Sequence, residues 1–392
     1  MRLLFCSKTS SVSVNCNDIL QRQEDVLMKH IMVMIGTRPE AIKLCPLVLE
    51  LKKRPQIQVT VCASGQHSTM LDSALHAFRV TPDFNLAVMR QKQSPSALMA
   101  RLLSGTDALL HRLKPDLLVV QGDTSTAYAA AQCAFYNRIE IAHVEAGLRT
   151  NHIHSPFPEE LHRRAIALMA DYHFAPTVTA SKNLIREGID EKKVFITGNT
   201  VVDAMRYTLS LPNAVTLPEI PKGLRLLVFT AHRREHFGET IQGMFLALRR
   251  IVEIHPDVIA VCPLHPNPNV QKCAHRILDG CDRILCIDPP DVITFHRLLS
   301  RADLILTDSG GIQEEATVLG IPTVVMRYST ERTEGILAGN LRLSGSGEAG
   351  IVETADLLLK PDSELYRGMR KRSSIYGDGH ASIRIADVLE KV

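Results

Sequence analysis

The sequence predicts an α/β protein with two Rossmann-like domains, each built on a parallel sheet. Three observations support this fold class. The chain has 392 residues, which suits two domains at ~150 residues each. Short apolar runs alternate with helical segments of about 10–15 residues, a spacing typical of parallel strands covered by helices on both faces. This rhythm stops in a proline-rich stretch, "LPNAVTLPEIPKG", and then starts again.

The strands expected in each domain can be read in order from these apolar runs. The first series is "IMVMIG", "IQVTVCAS", "DLLVVQGD", "IEIAHVEAG", "YHFAPT" and "KVFITGN". The second series is "LRLLVFTAH", "DVIAVCPLH", "RILCIDP", "LILTDSG", "PTVVM" and "GNLRLSG". We expect residues 30–204 to form the first domain, with a linker near 204–222. Residues 1–29 are polar and aperiodic, which indicates a disordered N-terminal extension.

Composition excludes several classes of protein. A net charge of +3 gives no strong field for nucleic acid or an anionic membrane. No apolar run approaches the ~18 residues that span a bilayer, and the N-terminus lacks the apolar core of a signal peptide. The nine cysteines include no CxxC pair, and an odd number argues against a disulfide framework. We therefore expect a reduced, cytoplasmic protein.

Polar residues follow six of the predicted strands: "GTRPE", "QGDT", "HVEAG", "HRRE", His265 and "DSGG". Ligands of parallel sheets bind at the carboxyl ends of the strands, so these residues predict one site in the cleft between domains. Ser309, Gly310 and Gly311 come between a strand and a helix, where free N–H groups attract an anion. The alternative is that Ser309 caps the helix while Glu314 and Glu315 complement its dipole.

Simpler interpretations exist for the other candidates. Arg38 and Lys43, one turn apart after the first strand, suit a diphosphate, although Arg38 could form a surface ion pair. Asp123 and Glu145 could cap the next helices. Glu159, like the glutamate after it, could simply belong to the acidic first turn of a helix that begins after a proline.

The nucleotide and metal motifs give weaker signals. "HRREHF" has the H-x-x-E-H spacing of some zinc peptidases, but it follows a strand directly instead of lying within a helix. Neither GxGxxG nor GxxxxGK[ST] is present after the first strand, which disfavours dinucleotide and P-loop sites.

Nine motifs, in this order, carry a family resemblance: "GTRPEAIKLCPLV", "QGDTSTAYAAAQCAFY", "HVEAGLRT", "SPFPEELHRR", "FITGNTVVDA", "AHRREHFGE", "PLHPNPNV", "TDSGGIQEEA" and "YGDGHAS". From about residue 31 onward the chain resembles the bacterial non-hydrolysing UDP-N-acetylglucosamine 2-epimerases. The resemblance implies a GT-B arrangement with the active site between the domains. It also implies a nucleotide-binding domain over 205–372 and a C-terminal helix over 373–392 that packs back on the first domain.

The expected reaction is the interconversion of UDP-GlcNAc and UDP-ManNAc for surface polysaccharide, through loss and re-addition of UDP, without metal or cofactor. The resemblance implies a homodimer and three sets of residues. Catalysis is assigned to Asp123, Glu145, Glu159 and His232. Substrate contacts are assigned to Arg38, Lys43, His232, Phe295, Ser309, Gly310, Gly311, Glu315 and Arg332, with Glu315 on the ribose. Activation by a second UDP-GlcNAc is assigned to Gln66, Arg101, Arg233 and His265.

Other functions remain open at this stage. An epimerase of a 2,3-diacetamido uronic acid is the nearest one, although "GTRPE" favours the plain sugar; a hydrolysing relative, a GT-B glycosyltransferase, a zinc peptidase and a nucleotide-sugar sensor are further alternatives. Three residues depart from the family pattern: Pro290 replaces a common glutamine, Thr333 a proline and Phe157 a tryptophan.

Overall fold

The computed structural model describes residues 28–65, 68–90, 93–212, 217–231 and 238–392. The predictions for Gln66, His232 and Arg233, and nearly all of the N-terminal extension, lie outside the described residues.

Within that part of the chain, the first sheet has seven parallel strands in the order β3-β2-β1-β4-β5-β6-β7. Six of them match predicted strands, and only β3, which is two residues long, was missed because it is too short to show periodicity. The strands are β1 (Lys29–Ile35), β2 (Ile57–Ala63), β3 (Phe84–Asn85), β4 (Leu117–Gln121), β5 (Glu140–Val144), β6 (Tyr172–Ala175) and β7 (Val194–Ile196).

Helices connect these strands and cover both faces of the sheet. Their starts follow local chemistry: the side chains of Ser94, Thr124 and Thr177 each accept a hydrogen bond from a backbone N–H in the first turn of the next helix. The helices are α1 (Arg38–Leu51), α2 (Ser68–Ala77), α3 (Pro95–Leu113), α4 (Ser125–Tyr136), α5 (Glu159–Met169), α6 (Val178–Arg186) and α7 (Thr200–Ser210).

The second sheet, counted over the described residues, has six parallel strands in the order β10-β9-β8-β11-β12-β13. All six were predicted: β8 (Arg225–Thr230), β9 (Val258–Pro263), β10 (Ile284–Ile287), β11 (Leu304–Thr307), β12 (Thr323–Val325) and β13 (Leu341–Leu343). Its helices are α8 (Glu239–Ile254), α9 (Pro268–Leu278), α10 (Val292–Ser300), α11 (Gly310–Leu319), α12 (Thr333–Leu337), α13 (Glu348–Leu359) and α14 (Glu364–Met369). The predicted fold class is confirmed.

Each sheet separates two apolar layers. Along β1, Ile31, Val33 and Ile35 join one buried cluster, while Met32 and Met34 join another on the opposite face. This alternation follows from the two-residue period of a strand. No helix among the described residues is long and apolar enough to cross a membrane.

The end of the chain returns to the first domain. Helix α15 (Ala381–Leu389) contributes Ile385, Ala386 and Leu389 to the cluster that also holds the core of α1. The Asp203 carboxylate caps α15 by accepting from the backbone N–H of Ala381 at 3.1 Å and of Ser382 at 2.8 Å. Asp203 lies in α7, which contains the predicted domain boundary at 204/205 and also contacts α10 and α11 of the second domain.

Candidate active site

The carboxylate of Glu145 is the centre of a buried polar cluster. Glu145 directly follows β5, has a left-handed backbone (φ 63°) and is 7% exposed. Its Oε2 accepts from Lys43 Nζ at 2.5 Å and from the Gln121 amide. Its Oε1 accepts from Asn199 Nδ2 and from Arg332 Nη2, both at 3.2 Å. Four chain segments from the two domains therefore meet at this side chain.

The electrostatics of the cluster keep Glu145 ionised. Burial by itself raises the pKa of this carboxyl, because the charged form loses water. The ammonium of Lys43 and the guanidinium of Arg332 outweigh that effect, so the net pKa lies below its usual value. Glu145 is therefore a buried carboxylate held charged by one cation from each domain.

Arg332 ties the second domain to Glu145. Its guanidinium donates from Nε to Glu314 Oε1 at 3.0 Å, from Nη1 to Glu331 and from Nη2 to Glu145. The side chain lies close to the start of α11: a Cβ at Gly310 would stand only 2.7 Å from Arg332 Nη1. An alanine at position 310 would therefore shift the Arg332 guanidinium from this arrangement.

For Glu314, the sequence indicated only the alternative role of complementing the helix dipole. It is fully buried, and its two oxygens accept from Arg332 Nε and, at 2.8 Å, from Asn199 Nδ2. Burial raises the pKa of Glu314 to about 7, with Arg332 acting in the opposite direction. Asn199 and Gln121 were also missed, although each lies inside a quoted motif; only three-dimensional proximity distinguishes them from their neighbours.

The start of α11 contradicts the simple capping interpretation. Ser309 is at the N-cap position, but its side chain makes no capping hydrogen bond, and the first turn contains no acidic residue. Glu314 and Glu315 lie in the second turn and are buried. The backbone N–H groups in the first turn of α11 therefore do not donate to the Ser309 side chain. This arrangement suits the binding of an anion.

Glu315 presents an oxygen without a hydrogen-bond partner among the described residues. Its Oε1 is 3.6 Å from His296 Nε2, while its buried Oε2 accepts no hydrogen bond there. A buried unsatisfied acceptor is costly. The hydroxyl groups of a ribose would satisfy it.

The carboxylate of Asp123, like that of Glu145, contacts a buried cationic side chain. It follows β4, and its carboxylate contacts Arg163, which is nine-tenths buried in α5. Its backbone oxygen is 2.9 Å from His162 Nδ1. The capping interpretation of Asp123 is wrong, because Thr124 caps α4. Glu159 is half-buried at the first position of α5, the helix that also carries Arg163. No role was predicted for Arg163 from the sequence.

Two further predicted contacts lie on the two walls of the cleft. Arg38 donates from Nη2 to the backbone oxygen of Pro290 at 3.0 Å, so it reaches across to the second domain and does not form a surface ion pair. Phe295 is half-buried in α10 against the apolar cluster of the second sheet. Lys43, expected at the diphosphate, is bonded to Glu145.

The described members of the predicted activator set lie on different domains. Arg101 in α3 donates from Nε to the Val88 backbone oxygen at 3.0 Å and contacts the Gln93 amide oxygen. His265 follows β9, and its Nδ1 accepts from the Asn267 N–H at 3.1 Å. Each therefore contacts its own loop. Among the residues that the structure describes, no group of three His, Cys, Asp or Glu side chains could hold a metal ion.

Two parallel sheets, with acids at strand ends of one domain and the Ser309 turn at a strand end of the other, define a two-domain protein of the GT-B type. Comparison with known proteins gives the family. The family model described as UDP-N-acetylglucosamine 2-epimerase matches residues 49–390. The chain belongs to this family, whose members are isomerases.

Individual relatives agree with this assignment. The UDP-N-acetylglucosamine 2-epimerase of Bacillus subtilis (strain 168) is 45% identical over 359 residues, which cover 92% of this chain and 94% of that relative. The crystal structure of UDP-GlcNAc 2-epimerase from Neisseria meningitidis, bound to UDP-GlcNAc, aligns with a TM-score of 0.89 and 40% identity over 93% of this chain and 100% of that one. A putative 2-epimerase from Listeria monocytogenes gives a TM-score of 0.88 at 43% identity, with 93% and 96% covered.

Proposed function

We propose that this chain interconverts UDP-GlcNAc and UDP-ManNAc by inverting carbon 2 of the sugar. The observation that supports this most directly is Glu145: a buried carboxylate, held charged by Lys43 and Arg332, in a cleft whose other wall carries the anion-binding turn at Ser309. Such a site combines a base with groups that stabilise a leaving diphosphate.

The chemistry follows from the substrate. Carbon 2 has no neighbouring carbonyl, so its proton cannot be removed through a simple enolate. Breaking the bond between carbon 1 and the diphosphate oxygen sends the electron pair to UDP and leaves an oxocarbenium-like carbon 1. That charge acidifies the carbon 2 proton, whose loss to a base gives 2-acetamidoglucal. Protonation of carbon 2 on the opposite face and return of UDP to carbon 1 complete the inversion.

The acid–base groups of this proposal are Asp123, Glu145, Glu159 and His232. Asp123 and Glu145 follow neighbouring strands β4 and β5, so two carboxylates from one sheet edge face the cleft. Arg38, Lys43, Phe295 and Arg332 are proposed to contact the nucleotide or diphosphate, with Ser309, Gly310 and Gly311 at the phosphates. Glu315 is proposed to accept from the ribose, consistent with its unpartnered Oε2.

Solvent isotope exchange tests this mechanism. Equilibration of UDP-GlcNAc in D₂O, with chelator and without nicotinamide, should place deuterium at carbon 2 of both UDP-sugars, as measured by NMR. Free UDP and the glucal should remain traces, because a closed cleft retains both fragments. Hydride transfer would retain the original hydrogen, and a zinc enzyme would stop with chelator. Epimerisation without deuterium uptake contradicts the elimination–addition assignment.

We propose that the enzyme is a homodimer. The C-terminal halves of α4 and α5 pack together through Ala131, Ala134 and Ile166, yet they leave Tyr136 72% exposed and Leu168 78% exposed. Exposed apolar side chains on adjoining helices are typical of a subunit interface. The variant Leu168→Asp should give a monomer in light scattering; a wild-type chain that is already monomeric contradicts the proposal.

We propose a cytoplasmic location and a supply of UDP-ManNAc to surface polysaccharide. The cysteines from Cys45 to Cys286 that the structure describes are all free thiols, as in a reducing compartment. Activation by a second UDP-GlcNAc through Gln66, Arg101, Arg233 and His265 is part of the same proposal. It predicts sigmoidal kinetics with UDP-GlcNAc and poor conversion of UDP-ManNAc alone; hyperbolic kinetics in both directions contradict it.

A further inference from the structure

Glu314 and Glu145 share two hydrogen-bond donors. Arg332 reaches Glu314 through Nε at 3.0 Å and Glu145 through Nη2 at 3.2 Å. Asn199 Nδ2 lies 2.8 Å from Glu314 Oε2 and 3.2 Å from Glu145 Oε1. Glu314 is 0% exposed. The proposed chemistry gives it no contact with substrate, so its burial and its ionic contacts require another explanation.

The shared donors come from separate parts of the chain. Asn199 immediately precedes α7, at the end of the first domain, and Arg332 immediately precedes α12 in the second. Glu314 in α11 accepts from both, one donor on each of its oxygens. The helix that begins with the Ser309 turn therefore also fixes two of the four groups that donate to Glu145.

We propose that Glu314 is a positioning residue that holds Arg332 and Asn199 against Glu145 and so keeps the Glu145 carboxylate in place and ionised before proton transfer. This role rests on the proposed function of Glu145 as an acid–base group. It explains why two adjacent glutamates occupy the second turn of α11: Glu315 is available to a ligand, whereas Glu314 faces the cluster.

The proposal depends on both oxygens of Glu314 being acceptors. A proton on either oxygen removes the negative charge and leaves a hydroxyl that is a weaker acceptor, so the contact with Arg332 Nε or Asn199 Nδ2 is weakened. The charged groups that face Glu314 are Arg332 and Lys43, which favour its ionised form, and Glu145, which opposes it; the phenol of Tyr376 also lies within its field. Because burial raises the pKa of Glu314 to about 7, its hold on the two donors weakens as the pH falls through neutrality.

The test compares Glu314→Gln with a matched control, Glu334→Gln. Glu334 is also a buried acid that crosses between the domains, where it accepts from Thr177 Oγ1 at 2.5 Å. We expect Glu314→Gln to lower kcat about tenfold or more at pH 8, with KM within about threefold, because a positioning residue affects the reacting state. In wild type, kcat should decrease as the pH falls through about 7 (the acid limb of the profile). This decrease should be absent in Glu314→Gln. Glu334→Gln should keep both kcat and the limb.

Three results would overturn the proposal: wild-type kcat with an unchanged acid limb in Glu314→Gln, an equal loss of kcat in both variants, or a loss confined to KM. If Glu314→Gln does not fold, Asn199→Ser provides the second variant. Serine can still accept from the Val201 N–H as Asn199 does at 3.1 Å, but it lacks the donor that reaches the two acids. Its kcat should fall; an unchanged kcat refutes the shared-donor role.

A crystal structure of Glu314→Gln separates this proposal from the proposed function. A wild-type chain that does not convert UDP-GlcNAc contradicts the function but leaves the positions of Arg332 and Asn199 measurable. We expect Arg332 Nη2 to leave the Glu145 oxygen in the variant. An Arg332–Glu145 contact that stays at 3.2 Å shows that Glu314 does not position it.

Discussion

The two walls of the cleft differ in how their acids are satisfied. On the first-domain wall, Glu145 accepts from Lys43, Gln121, Asn199 and Arg332, and both of its oxygens are used. On the second-domain wall, Glu315 is buried to a similar extent, but its Oε2 accepts from none of the described residues. Its Oε1 lies 3.6 Å from the imidazole of His296.

Under the proposed function, we infer from this difference a separate task for each wall. Polar groups that protein bonds already hold in place stabilise a reacting charge without reorganisation, which suits the wall with Glu145. A buried acceptor without a protein donor is stabilised once a ligand supplies one, which suits recognition of a nucleotide. The first wall should therefore control kcat, and the second should control ligand affinity.

Removing the charge of Glu145 should have the largest effect. Glu145→Gln is expected to lower kcat by ~10²–10⁴, the usual contribution of a general acid–base group, while KM changes little. The amide also leaves Lys43 and Arg332 without their shared anion. NMR assays of UDP-GlcNAc conversion measure the rate, and Asp123→Asn and Glu159→Gln should lose rate over the same range.

The control for these variants is a melting curve, which must show that each variant is folded at the assay temperature. Near-wild-type turnover in all three folded variants would remove the first wall from the mechanism.

The second wall should respond in affinity. Glu315→Gln is expected to weaken UDP binding by about 1–3 kcal/mol, which is about 5- to 150-fold, because a charged acceptor for the ribose is lost. Titration calorimetry with UDP and 2′-deoxy-UDP measures this. Wild type should prefer UDP, and the variant should lose much of that preference. Equal discrimination by both proteins would place the ribose elsewhere.

The sequence predicted the strands better than the roles of individual acids. Apolar runs and proline breaks are local signals, and they located all strands except β3. Each Glu-Glu pair was ambiguous, because spacing alone does not show which member faces the ligand. In the pair at α5, Glu160 accepts from the N–H groups of Thr150 and Asn151 and so has a structural role. Glu314 bonds to Asn199, 115 residues away, a contact that no local pattern indicates.

A pair of glycine variants tests how closely the two walls are joined. Gly310→Ala places a Cβ 2.7 Å from Arg332 Nη1, whereas a Cβ at Gly311 has nothing within 4 Å. Moving a guanidinium that contacts three carboxylates should cost about 1–3 kcal/mol of unfolding free energy. Gly311→Ala should be neutral or stabilising by up to about 1 kcal/mol. Chemical unfolding measures both; equal stabilities would show that Arg332 adapts freely.

The smallest expected effect concerns pH and the strand that leads to Glu145. His143 on β5 is fully buried, and its Nε2 lies 2.8 Å from the Gly122 backbone oxygen, next to Asp123. A carbonyl only accepts, so Nε2 carries the proton. Burial lowers the pKa of His143 to about 3 from 6.5. Between about pH 6.5 and pH 3, His143 is therefore neutral in the folded protein but protonated in the unfolded chain.

The sign of the effect follows from that difference in proton binding. Below about pH 6.5 the unfolded state binds a proton that folded His143 does not, so wild type loses about 1.4 kcal/mol per pH unit through this residue. His143→Gln keeps a donor toward Gly122 but does not titrate. The variant should therefore gain about 1.4 kcal/mol relative to wild type between pH 6 and pH 5 and show no such trend above pH 7. Titrating groups remote from His143 are common to both proteins and cancel in the difference. If the difference in unfolding free energy between wild type and variant does not depend on pH, then folded His143 takes up a proton as the unfolded chain does. In that case the backbone next to Asp123 is not held by a neutral buried imidazole.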